Sequence, residues 1–215
     1  MSLVYQLIII ITLFLLFAVP HSILAAFDVK KRLTEQIGDK IAFYRLFYNV
    51  SSILLFVSIY YLSPKPQLKI YDLQFPFDII IFAIQFLGIV GLFWAGSYVD
   101  MKEFLGIKQV IRYFRGEYKI QDLDEHHNLI VAGPFKMSRH PIYFFSIIIL
   151  GFRPAMDLFD MVFFICLALY FYIGSLYEEK SLEKRYGIQY ADYKQRVPRI
   201  LPNPSLLFKK IEISK

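Results

Sequence analysis

Residues 158–177 read LFDMVFFICLALYFYIGSLY, and Glu178-Glu179 follow at once. A run of that length and composition suits one helical crossing of a bilayer, which takes roughly 20 mostly apolar residues. Upstream, the break Gly151-Phe152-Arg153-Pro154 separates it from a shorter apolar run, 142–152. That run begins directly after Arg139-His140-Pro141. Folded as a hairpin, the two runs return an Arg/His pair and a Glu pair to the same side of a membrane. The short run, even extended to Met156, covers only about 22 Å at 1.5 Å per residue.

The rest of the chain is built the same way. It has 215 residues, 57% of them apolar, and a mean hydropathy of +0.47. Apolar runs at 3–19, 41–62 and 78–98 reach or approach spanning length. The expectation is an all-α integral membrane fold with about five transmembrane helices in one domain spanning 1–215. Three helices occupy 1–98, a cytoplasmic loop 99–140, the hairpin 141–177, and a cytoplasmic tail 178–215. Met1–Gln6 carries no Lys or Arg, so it lacks the positive region of a cleaved signal peptide. Cys166, the one cysteine, sits inside an apolar run and reads as a packing residue.

The net charge of +6 is distributed by topology. Five Lys or Arg lie in 27–45, seven in 99–139 and nine after Tyr177, while the alternate loops hold only Lys65, Lys69 and Arg153. Positive residues accumulate on the cytoplasmic side. The expected orientation is therefore N-terminus outside and C-terminus cytoplasmic. The basic excess then reflects topology and contact with membrane lipids, not nucleic acid, and nothing in the chain calls for an obligate protein partner.

Within this frame, Gly88, Gly91 and Gly96 on the third helix predict close helix packing. The long polar stretch 99–139 predicts partial helix over 104–114 and a turn at Gly133-Pro134. After Tyr177, the residues Glu179, Leu182, Tyr186, Tyr190, Tyr193 and Val197 recur at spacings of three and four, one face of an amphipathic helix expected to lie at the interface.

The chemistry-bearing residues cluster at the hairpin's open end. Arg139 offers a rigid fork for a carboxylate. Glu178 and Glu179 accept from an ammonium group or a diol, and can face a sulfonium. S-adenosylmethionine carries all of these groups. Charges at helix ends also anchor in headgroups, and charge alone does not separate the two roles. His21, His126 and His127 lack the paired helical spacing of a metal site, so no metal is expected.

The wider pattern does separate them. His127-Asn128-Leu129-Ile130-Val131-Ala132-Gly133-Pro134-Phe135, then Arg139-His140-Pro141-x-Tyr143, then Glu178-Glu179 resembles the isoprenylcysteine carboxyl methyltransferases and phospholipid methyltransferases. The closing Tyr186-Gly187-x-x-Tyr190-x-x-Tyr193-x-x-x-Val197-Pro198-Arg199-x-x-Pro202 extends the match. The resemblance implies an S-adenosylmethionine-dependent integral-membrane enzyme with a cytoplasmic cofactor pocket. It implies cofactor binding by His127, Leu129, Val131, Gly133, Pro134 and Phe135, largely through backbone. Arg139, His140 and Tyr143 would hold the polar end, with Glu178 and Glu179 closing over it. Arg139, His140 and Glu178 are the candidate catalytic residues. His21-Ser22, Phe104-Leu105-Gly106 and Tyr113-Phe114-Arg115-Gly116 are similar to the methanethiol S-methyltransferase branch, which implies a small thiol acceptor. The alternatives are a prenylcysteine carboxylate, a phospholipid amine, or a non-enzymatic accessory protein of the same fold. One departure stands out: the family commonly has Gly two residues after the motif tyrosine, where this chain has Phe145. Either the acceptor tunnel is narrower, or the pocket differs.

Overall fold

The structure is a computed structural model that describes residues 1–120 and 129–211. It is almost entirely helical, and four helices are long and apolar enough to cross a membrane. By its contacts the chain divides into two compact units: Met1–Pro64 with Val99–His127, and Lys65–Tyr98 with Asn128–Lys215.

In the first unit, α1 (Leu3–Ala25) runs straight through Pro20 and past the expected end at Val19. The stretch after it, expected as a loop, is helical. Ala26 takes extended backbone, α2 (Phe27–Ile37) follows, and a 3-10 turn over Gly38–Phe43 leads into α3 (Tyr44–Leu62). Sequence hydropathy misses α2 because its residues are mostly polar, with apolar ones on one side only. His21 links α1 to α3, its Nδ1 lying 2.8 Å from Ser52 Oγ and its Nε2 2.8 Å from Tyr48 Oη. Asp100 then caps the short α5 (Met101–Phe104), and α6 (Ile107–Phe114) follows. Between them Gly106 sits at φ +90°, where a Cβ would stand 2.5 Å from the backbone nitrogen of Leu46. Arg112 grips the buried Glu103 with both terminal nitrogens, Nη2 at 2.7 Å and Nη1 at 3.0 Å.

In the second unit, β1 (Lys69–Asp72) pairs antiparallel with β2 (Ala155–Asp157). This ribbon closes one end of three helices: α4 (Phe77–Gly96), α7 (Pro141–Gly151) and α8 (Leu158–Tyr186). Arg153 is held at this end by Asp160, at 2.9 Å. The residues that α4 buries are Gly88, Gly91 and Ala95, whereas Phe86 and Phe93 are exposed. Small residues inside and large apolar ones outside is the pattern expected of a helix in lipid. Gly88 packs against Ile148 and Ile149, and Gly91 against the Phe145 ring, where a Cβ would come within 2.2 Å. Gly96 departs from the expectation, with nothing within 4 Å of its Cβ position.

Helix α7 is 11 residues long, about 16 Å at the standard rise. It is the short fifth apolar segment, well below the roughly 30 Å of a hydrocarbon core. Helix α8 does not end at Tyr177. It carries Glu178 and Glu179 on regular helix to Tyr186, turns at Gly187 (φ 55°), and restarts as α9 (Ile188–Arg196). The apolar face expected to lie on the membrane is covered by protein instead. Tyr190, Tyr193 and Val197 form a buried cluster with Leu129, Val131, Leu182, Tyr186, Leu206 and Ile211.

Candidate functional site

Pro141 starts α7 at its first position, where the missing N–H is no loss. The residues just before it are therefore free to bond elsewhere, and they bond to the closing motif. Arg139 N donates to Pro198 O and His140 N to Arg199 O, both at 2.9 Å. Ser138 Oγ lies 3.0 Å from Arg199 O and 2.9 Å from Ile200 O. Asn203 N donates to Met137 O at 2.8 Å. Two segments some 60 positions apart are thus knit backbone to backbone, and each orients its side chains toward α8.

Glu179 is the hub, with a side chain only 1% exposed. Arg139 reaches its Oε1 with Nε at 2.9 Å and Nη2 at 2.8 Å. Arg199 reaches Oε1 with Nε and Oε2 with Nη2, both at 3.2 Å. His140 Nε2 donates to Oε1 at 3.2 Å, since a carboxylate only accepts. Lys194 stands 3.9 Å from Oε2 and is paired more closely with Glu183, at 2.6 Å. A buried carboxylate is tolerated when it is paired and hydrogen-bonded, and Glu179 meets both conditions.

Arg139 is equally enclosed, 7% exposed. Its Nη1 donates to Lys194 O at 2.7 Å and Val197 O at 2.6 Å. With Nε and Nη2 on Glu179, four of its five N–H groups face protein acceptors. The expectation that Arg139 holds a ligand's polar end therefore meets a physical obstacle: the fork is already spent on the fold.

Glu178 is the open partner. Its side chain is 47% exposed, the Tyr143 hydroxyl donates to Oε2 at 2.9 Å, and His140 Nδ1 lies 3.5 Å from the same oxygen. The ring of Tyr143 stacks on His140 at 5.2 Å and on Phe171 at 5.0 Å, near parallel in both cases. His140, Tyr143, Glu178 and Phe171 thus make one surface of aromatic faces and a carboxylate.

The chain is similar to methanethiol S-methyltransferases. It is 29% identical to methanethiol S-methyltransferase 1 of Bradyrhizobium diazoefficiens over 87% of this chain and 64% of that protein. Against the methanethiol S-methyltransferase of Pseudomonas deceptionensis it is 24% identical over 90% of this chain and 71% of the other. Against that of Mycobacterium tuberculosis the figures are 26%, 87% and 75%. The chain spans just under two thirds of the length of the first of these relatives. No family profile and no solved structure matches it.

The remaining expected residues divide by what the structure does with them. Leu129 and Val131 pack their side chains on the Tyr190–Tyr193 cluster. Gly133, at φ 53°, accepts the Tyr98 ring where a Cβ would sit, and Pro134 is buried in the 3-10 turn Gly133–Lys136. Phe135 O accepts the Tyr193 hydroxyl at 2.6 Å. His127 lies outside the described residues. Among the described residues, no three His, Cys, Asp or Glu side chains gather into a metal-ligating group. Phe145 points away from this surface. Two residues along a helix is about 200° around it at 3.6 residues per turn, so Tyr143 faces α8 while Phe145 faces Gly91 on α4. Sequence reasoning passed over Arg199 as a site residue. Its signal was a lone guanidinium in the proline-framed run Val197-Pro198-Arg199.

Proposed function

We propose that this chain is an integral-membrane methyltransferase that moves a methyl group from S-adenosylmethionine to a small thiol such as methanethiol. One observation carries the reading. Arg139 and His140 meet Glu178 and Glu179 in direct contacts of 2.8 to 3.5 Å, with aromatic faces alongside, in a chain whose relatives are named for this reaction.

The donor set suits a zwitterionic sulfonium. Glu178 offers an accessible carboxylate to a cationic centre, and the faces of Tyr143 and Phe171 favour positive charge nearby. Arg139 and Glu179 act at one remove, locking His140 and this stretch of α8 into position. In the Leu129–Phe135 segment, Leu129 and Val131 are anchored through their side chains, which leaves the backbone groups of 129–131 for an adenine. When bound, the donor supplies an activated methyl group: a carbon–sulfur bond to the thiolate forms as the sulfonium bond breaks, its electron pair staying on the donor sulfur. The thiolate is the reactive form, and the thiol's proton leaves to solvent. What the residues contribute is placement, which removes the entropic cost of bringing two reactants together. The charge distribution supports an N-terminus outside and the donor site at the cytoplasmic face.

Purified protein in detergent, given methyl-labelled S-adenosylmethionine and methanethiol together with native lipid extract, tests this. The expected result is volatile label in the headspace that depends on protein. Label in the lipid fraction alone would replace the thiol with a lipid acceptor, and label in neither would sink the enzymatic reading.

A further inference from the structure

Three cations surround the Glu179 carboxylate, and they are not equivalent. Arg139 is buried and its fork is consumed by Glu179 and two backbone carbonyls. Lys194 is engaged with Glu183. Arg199 touches Glu179 through Nε and Nη2 only. Its Nη1 has no protein acceptor among the described residues, and the side chain is 27% exposed. Its guanidinium also lies over the Tyr172 ring, 5.9 Å from the centroid.

Glu178 directs its carboxylate toward Tyr143 and His140, and among the described residues it makes no ion pair with Arg199. The free Nη1 of a partly exposed guanidinium favours a further acceptor, and a carboxylate matches its planar fork.

We propose that Arg199 is the residue that recognises the amino-acid carboxylate of the methyl donor, with Glu178 taking the adjacent cationic group. This rests on the donor reading above and refines it: the guanidinium that meets the ligand is that of Val197-Pro198-Arg199, not that of Arg139-His140-Pro141. Arg139 is then a positioning residue, and Arg199 a binding residue that determines specificity for donors bearing a carboxylate.

The experiment compares two ligands that differ only in that group: S-adenosylhomocysteine and its decarboxylated analogue. Each is titrated calorimetrically into the full-length detergent-solubilised protein. The wild type is expected to bind S-adenosylhomocysteine about tenfold or more tightly than the analogue, in line with the strength of a charge-assisted pair. In Arg199→Gln that preference is expected to vanish, through weakened binding of S-adenosylhomocysteine and unchanged binding of the analogue. Arg199→Lys, which keeps the charge without the fork, recovers part of the preference and serves if the Gln variant does not fold. Equal weakening of both ligands would make Arg199 a structural prop for Glu179 and overturn the proposal, as would full retention of the preference. A wild type that binds neither ligand would remove the donor reading itself, an outcome distinct from loss of the Arg199 assignment alone.

Discussion

Two adjacent glutamates on α8 differ by one position and by almost everything else. Glu179 is buried among two guanidiniums and an imidazole, while Glu178 is half exposed and held by Tyr143. Removing one partner of a buried ion cluster leaves uncompensated charge, at a cost of about 3–5 kcal/mol. Glu179→Ala is therefore expected to lower the melting temperature strongly and to lose methyl transfer only as a consequence. Glu178→Gln is expected to melt like wild type and to lose turnover by about tenfold or more, the scale of a charge-assisted contact. Thermal melts run beside the headspace assay separate the two, and similar melting of both variants would contradict the assignment. A second contrast lies one helix on. Tyr190 and Tyr193 are both buried, and burial raises both phenol pKa values. Yet Tyr193 donates to Phe135 O, while the Tyr190 hydroxyl has no partner among the described residues. Tyr193→Phe is expected to destabilise by about 1 kcal/mol, and Tyr190→Phe to be neutral or stabilising, since it deletes a buried unsatisfied group. Denaturation curves of the pair decide this. These residues were legible in the sequence as members of a helical face, but the difference between them was not, because periodicity reports which side a residue lies on and not what its polar tip meets.

At the scale of elements, α4 and α7 pack through complementary size. Gly91 leaves the space that the Phe145 ring fills, with no room for a methyl group. Phe145, a departure from the family pattern along the chain, is explained by its opposite number on another helix, Gly91. Gly91→Ala is expected to destabilise by about 1–3 kcal/mol through overpacking, and Gly91→Ala with Phe145→Ala to recover part of that loss, since contacting residues couple. Additive losses in the double variant would show that the two do not share this space. The four long helices were legible because length and apolarity declare them. Helix α2 was not, because its mostly polar residues carry no hydropathy signal, and the helix read from periodicity after Tyr177 was not legible as a continuation of α8, which runs past the apolar boundary by its own hydrogen bonding.

For the whole molecule, the asymmetry of Lys and Arg between loops gives an expected orientation that can be measured. Single cysteines at Gln67 and Ser205, in a Cys166→Ser background, are expected to react with an impermeant thiol reagent from opposite sides, Gln67 from outside and Ser205 from the cytoplasm. Labelling of Gln67→Cys only after permeabilisation would invert the topology. By itself the sequence determined the positions of the apolar runs, the shortness of the run before Gly151, the bias of charge between loops, and the two motifs at the hairpin's open end. All of these are local or compositional properties, readable wherever the residues fall in space. Only the tertiary structure decided which arginine is enclosed by the fold and which is left partly exposed. Glu179 meets Arg139 across 40 positions and Arg199 across 20, and at such separations the pairing follows from the backbone bonds that knit 137–140 to 198–203, not from any periodicity along the chain.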